Sequence, residues 1–160
     1  MNPVTLENLI DLAEGHARNT LIKLGEKSLV PCWVLLTPEN RINIVGTPWK
    51  DEGDKKIAQQ KIKALIKEHE ITAYSFVCEA WYAVVSKEEW SRKTLPELER
   101  PANRVDRIEI VFAAAVDKKR ALMRSWRIMR DWKGAIESLQ PMPEGEAASP
   151  GGWIMEMFGK

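Results

Sequence analysis

The stretch that most limits what this chain can fold into is residues 72–85, TAYSFVCEAWYAVV, in which Glu79 is the only charged residue. Aromatic and β-branched residues dominate it, and neither proline nor glycine interrupts it. Residues of this kind suit a buried pleated surface, so the run is expected as a central strand. Alternation divides it into two faces. Tyr74, Phe76, Cys78, Tyr82 and Val84 fall on one, Glu79 and Trp81 on the other. Burial favours the first set for the core, which leaves the Glu79/Trp81 pair on a half-exposed surface.

The flanking segments supply the partners such a strand needs. Residues 4–24 carry Leu6, Leu9, Ile10, Ala13, Ala17, Leu21 and Leu24 at helical spacing, with Thr5 as N-cap and Gly25 as stop. Gly15, inside that helix, predicts a weak point or a close approach. Apolar runs 32–37 and 42–46 flank Pro38-Glu39-Asn40 and predict a hairpin. A second helix is expected over 51–70, with Asp51 and Asp54 at its start and Ile57, Ala58, Ile62, Leu65, Ile66 and His69 on its apolar stripe. Residues 86–106 are polar, contain Pro96 and Pro101, and read as a long excursion in which Ser86 and Glu89 have capping-box spacing. Two more strands, 107–116 and 119–130, turn at Asp117-Lys118 or Lys118-Lys119, and 131–140 reads as a short final helix.

The expected architecture is α+β: one domain over residues 1–140, a five-stranded mainly antiparallel sheet, and helices packed on one face, in the order α-β-β-α-β-β-β-α. This order resembles the profilin-like group, including roadblock and longin domains. The resemblance is one of topology, and it implies an adaptor or sensor that works by binding partners. Short stretches of the form EAW…P…DRIEIV, over about the middle third of the chain, resemble those of small uncharacterised proteins from bacterial and phage-derived genomes.

A two-residue turn between the last two strands makes paired residue numbers sum to an odd value. Ile108, Ile110, Phe112, Ala114 and Val116 then share the core face with Ala121, Met123, Ser125 and Met129, with Arg127 its only charged exception. The opposite face carries Arg107, Glu109, Val111, Arg120, Leu122, Arg124, Trp126, Ile128, Arg130 and Trp132, beside Glu79 and Trp81. The candidate binding residues are Glu79, Trp81, Arg107, Glu109, Arg124, Trp126 and Arg130. Three readings of this face compete. It is an ion-paired scaffold, a protein interface built on Trp and Arg, or an Arg/aromatic surface for nucleic acid. Segment 117–133 has seven Lys or Arg against two Asp, but Glu79 and Glu109 on the same face would repel phosphates.

Catalytic signals are sparse. His16 and His69 have no Cys or His at metal-ligand spacing, and His69 reads as a packed residue of its helix stripe, so no metal site is expected. Cys78 reads as a small buried residue and not as a nucleophile. No glycine-rich phosphate loop is present, and no cofactor is expected. Glu79 and Glu109, with Arg107 or Arg124, form the one acid/base or magnesium pair compatible with a phosphodiesterase. A net charge of +1 gives no overall field toward nucleic acid or membrane. The start, MNPVTLENLIDL, lacks the basic and apolar regions of a signal peptide, so a cytoplasmic protein is expected. The function expected is a non-enzymatic binding module that self-associates or docks to a protein. The alternatives are a nucleic-acid binder using 119–132 and a metal-dependent phosphodiesterase centred on Glu79/Glu109.

Residues 141–152 hold three prolines, three glycines and two glutamates and read as a flexible linker. Beyond it, 153–160 delivers Trp153, Ile154, Met155, Met157 and Phe158, a cluster too apolar to leave in water. It is expected to dock in a groove. A neighbouring subunit is the preferred site, and the chain's own sheet is the alternative.

Overall fold

The structure, a computed structural model, describes residues 2–82, 107–142 and 157–158. Helix α1, Leu6–Arg18, starts at the expected cap. Thr5 Oγ1 accepts the Asn8 N–H at 3.1 Å, and the Asn8 side chain accepts the Thr5 N–H at 3.0 Å. This reciprocal box satisfies two donors that a helix start leaves without partners. α1 runs into a π-helical turn, Asn19–Lys23, and Gly25 follows at φ 66°. Gly15 makes no close approach, since a Cβ there would meet nothing within 4 Å. Its effect is confined to helix propensity.

β1, Cys32–Leu36, and β2, Ile42–Gly46, form the expected hairpin, with Asn40 in the left-handed region at φ 64°. Helix α2, Glu52–Glu68, is capped by Asp51, which accepts the Asp54 N–H at 2.8 Å. Its stripe is narrower than the sequence implies: Ala58, Ile62 and Ile66 are buried, while Ile57 is exposed. His69 is the exposed C-cap and not a packed residue, because the helix ends before its side chain can turn inward. β3, Ala73–Tyr82, is the apolar run. β4, Ile108–Asp117, and β5, Ala121–Arg130, turn at Lys118-Lys119, where Asp117 Oδ1 accepts the N–H groups of Lys119 and Arg120 at 2.7 and 2.8 Å.

The segment expected as a final helix is a strand instead. β6, Ile136–Pro141, pairs with β5 and brings the sheet to six antiparallel strands in the order β2-β1-β3-β4-β5-β6. Ile136 lies opposite Arg130 and Ser138 opposite Met129, which leaves Glu137 as an extra residue in a bulge. The bulge puts Ile136 and Leu139 on one face at three-residue spacing, the interval that otherwise marks a helix. Turn chemistry points to the hairpin: Asp131 Oδ1 accepts the N–H groups of Lys133 and Ala135, and Gly134 takes φ 84°.

The helices cover opposite faces, not one. α1 packs Leu9, Ile10, Ala13 and Ala17 against Val34, Ala73, Val77, Val111, Ala113, Ala115, Trp126 and Ile128. α2 packs Ile62 and Ile66 on the other side with Trp33, Leu35, Tyr74, Phe76, Ile110, Phe112 and Val116. Within the second cluster the Trp33 ring lies 4.3 Å from Phe76, and its indole N–H donates to Thr47 Oγ1 at 2.9 Å. Met157 is buried in the same cluster, its backbone hydrogen-bonded to the Tyr74 hydroxyl, and Phe158 lies 5.2 Å from the Tyr74 ring. These two tail residues pack against their own chain's sheet. Of the expected linker 141–152, Pro141 ends β6 and the Met142 N–H donates to the Ser125 carbonyl at 3.0 Å, while residues 143–152, Trp153, Ile154 and Met155 lie outside the described residues. No helix among the described residues is long and apolar enough to cross a membrane.

Two-sided covering has a measurable consequence. Ile10→Val under α1 and Ile62→Val under α2 should each cost about 0.5–1.5 kcal/mol. Separated by the sheet, they should add to within about 0.5 kcal/mol in denaturant unfolding. Strong non-additivity would mean the two side chains share one core.

Candidate functional site

The strand parity expected from the sequence holds. Glu79 lies opposite Val111, Trp81 opposite Glu109, Ala113 opposite Arg124 and Val111 opposite Trp126. All seven candidate residues thus share the α1 side of the sheet, but they are not one cluster. α1 lies over the middle of that face and separates them.

Arg124 and Trp126 belong to the covered part. Trp126 is buried under α1, with the Arg18 guanidinium 5.9 Å from its ring centre. Arg124 donates to Asp11 at 2.6 Å and to Glu14 at 3.2 Å, and Arg120 reaches Glu7 at 2.9 Å. Glu7, Asp11 and Glu14 line one side of α1, so Arg120 and Arg124 fasten the helix instead of joining Glu79. Each such pair contributes little, up to about 1 kcal/mol. They orient α1 more than they stabilise it.

The other five residues gather at the end of the face beyond α1, where β3 ends and β4 begins. Arg130 holds Glu109 through two parallel bonds, Nε to Oε2 at 2.7 Å and Nη2 to Oε1 at 3.0 Å. This fork keeps the Glu109 carboxyl below the usual carboxylate range. The Arg107 guanidinium sits 4.4 Å from the centre of the Trp81 ring, and Trp81 remains 40% exposed. Glu79 is half-buried beside them. Burial pushes its pKa up, opposed by a hydrogen bond from the Leu29 backbone; nearby Glu109 raises it further and Arg130 lowers it. No ion pair of Glu79 is present among the described residues, because Arg130 is already committed to Glu109.

A residue the candidate set omitted extends this end. Arg130 Nη1 also donates to the Gly134 carbonyl at 2.7 Å, tying the β5–β6 turn to the cluster. That turn presents Trp132, 90% exposed, with the Lys133 ammonium 5.0 Å from its ring centre. The signal was the Asp131…Gly134 turn around a tryptophan. Two exposed tryptophans, each faced by a cation, therefore flank one bidentate ion pair.

Neither thiol is primed for nucleophilic chemistry. Burial raises the Cys32 thiol and pushes Cys78 up to about 12, so both stay protonated at neutral pH. Among the described residues, no group of three His, Cys, Asp or Glu side chains comes together in a way that could hold a metal ion. No protein-family model, curated protein or solved structure matches the chain.

The Glu79 environment predicts a pH signature. Folding raises its pKa, so the ionised carboxylate destabilises the fold at pH values above the folded pKa. That penalty fades as pH falls and is gone below the ordinary value of 4.5. Glu79→Gln keeps an acceptor for Leu29 and removes the charge. It should melt above the wild type at pH 7, with the gap closing toward pH about 4. An equal gap at every pH, or a lower melting temperature at pH 7, would count against a desolvated, poorly compensated carboxylate.

Proposed function

We propose that this chain is a non-enzymatic binding module that docks a protein partner on the Trp81/Trp132 end of its sheet. The observation that carries this is the exposure of Trp132 on an organised turn, linked through Arg130 and Glu109 to the half-exposed Trp81. Tryptophan and arginine dominate the energetics of protein interfaces because a large flat apolar area is joined to directional donors. The Glu109–Arg130 pair suits the edge of such a contact, where a desolvated fork remains internally satisfied.

The nucleic-acid reading is weaker on the same geometry. Arg120, Arg124 and Arg130 are each paired with carboxylates, and Trp126 is buried and has no face to offer a base. Phosphate binding would also bring a polyanion against Glu79 and Glu109. The phosphodiesterase reading requires Glu109 to bind a cation with both oxygens already engaged by Arg130.

Trp132→Ala tests the proposal. The side chain is almost fully exposed, so stability should stay within about 0.5 kcal/mol. Affinity for a protein captured by the wild-type chain from cells that express it should fall by about 30-fold or more, as for a hot spot of about 2 kcal/mol. Equal capture by both variants would reject the site. Tight oligonucleotide binding that weakens steeply with salt, or magnesium-dependent cleavage lost in Glu79→Gln, would replace the proposal with one of its rivals.

A further inference from the structure

Among the described residues, the hairpin leaves one edge of the sheet without a further strand. β2 is the terminal strand of the sheet and, among the described residues, pairs with β1 alone. The phase of its hydrogen bonds follows from two contacts, Thr37 N–H to the Arg41 carbonyl at 2.9 Å and Thr47 N–H to the Pro31 carbonyl at 2.8 Å. In an antiparallel ladder, bonded pairs alternate with non-bonded ones. Arg41, Asn43, Val45 and Thr47 therefore turn their backbone groups toward β1. Ile42, Ile44 and Gly46 turn theirs outward.

Soluble proteins blunt such edges with charge, proline or a bulge. The opposite edge, β6, has a bulge at Glu137 and ends in Pro141. β2 reads INIVG, without charge or proline. Its outward-bonding residues also place their side chains on the α1 side. There Ile44 is 70% exposed, Leu12 of α1 46% and Val30 48%. Leu12 and Ile42 line one shallow groove between α1 and this strand. Val30 stands over the glycine, its Cγ1 3.7 Å from where a Gly46 Cβ would be.

We propose that β2 pairs antiparallel with β2 of a second copy of this chain, about a two-fold axis through Ile44, joining two sheets into one. That register sets Ile44 opposite its own copy and Ile42 opposite Gly46. These are the residues whose N–H and C=O groups point outward, and each bonded pair exchanges two hydrogen bonds. The side chains are self-complementary in the same register. Ile42 of one copy fills the space that Gly46 of the other leaves open and packs against Val30 beside it. Arg41 falls opposite Thr47, so no like charges meet. A strand that matches its own reverse in backbone phase, side-chain volume and charge favours a second copy over an unrelated peptide. This surface is separate from the tryptophan end and does not depend on it.

Sedimentation of the full chain over a range of micromolar concentrations decides the matter. The wild type should dimerise, and Ile44→Lys, which sets two ammonium groups together at the axis, should weaken the dimer at least ten-fold. At concentrations low enough for both proteins to be monomeric, its melting temperature should match the wild type's, because Ile44 is exposed in the single chain. Ile44→Cys gives a second readout that does not rely on Ile44→Lys folding normally. Bonded antiparallel pairs place Cα atoms about 5.5 Å apart, within disulfide range, so this variant should cross-link to a covalent dimer under mild oxidation. The wild type, with only the native Cys32 and Cys78, is the control. A wild type that stays monomeric, a dimer unaffected by Ile44→Lys, or no excess cross-linking in Ile44→Cys would each overturn the proposal. So would a monomer that pairs β2 only with an extended peptide of another protein.

Discussion

Everything in this fold depends on burying β3 and β4 on both faces at once. Val77 and Val111 cannot face water on one side any more than Phe76 and Phe112 can on the other. A single helical layer would satisfy half of them. The chain meets the demand asymmetrically. On the α1 side, Ala73, Ser75, Ala113 and Ala115 are small, so α1 comes close and supplies the bulk itself through Leu9 and Ile10. On the α2 side the strands supply the bulk, with Trp33, Tyr74, Phe76 and Phe112, and α2 contributes only a narrow stripe. Met157 and Phe158 fill space beside those rings.

This covering also decides where charge can sit. α1 is shorter than the strands it crosses, and ionisable residues on that face lie along its rim or beyond its end. Arg120 and Arg124 meet carboxylates that α1 turns toward β5. Past the π-helical turn no helix among the described residues covers the face, and Glu79, Trp81, Arg107, Glu109 and Arg130 collect there. With one fork donor and two carboxylates, Arg130 goes to the more exposed Glu109 and leaves Glu79 the more desolvated. The uneven sharing arises from geometry: β5 lies next to β4 and one strand away from β3.

Much of this was legible in the residues, and the failures have physical causes. Strand parity could be read because a two-residue turn constrains it, so the shared face of Glu79, Trp81, Glu109 and Arg130 followed from counting. Caps at Thr5 and Asp51 and the left-handed Asn40 could be read because each involves neighbours in the chain. What could not be read was which face a helix chooses, since α1 and α2 are both amphipathic and a sheet offers two sides. The near absence of polar residues in β3 and β4 was nevertheless a sign that both faces are covered. Arg124 was misplaced for the same reason, as its partners on α1 are distant in sequence. β6 was missed because a bulge imitates helical spacing, although Asp131 and Gly134 spelled a turn.

The tryptophans show how position, not composition, carries functional meaning here. Trp33 and Trp126 lie in the two cores, and Trp33 satisfies its N–H on Thr47. Packing explains these fully. Trp132 is different, because among the described residues its ring joins neither core. The turn that carries it is organised by Asp131, Gly134 and the Arg130 contact to the Gly134 carbonyl, so the ring is held out by specific bonds. A polar side chain would serve the turn equally well, since turn geometry depends on Asp131 and Gly134 and not on the residue between them. A large apolar ring in such a place gains nothing from folding. Its area becomes useful only when another surface covers it, and in this Trp132 differs from the buried aromatics.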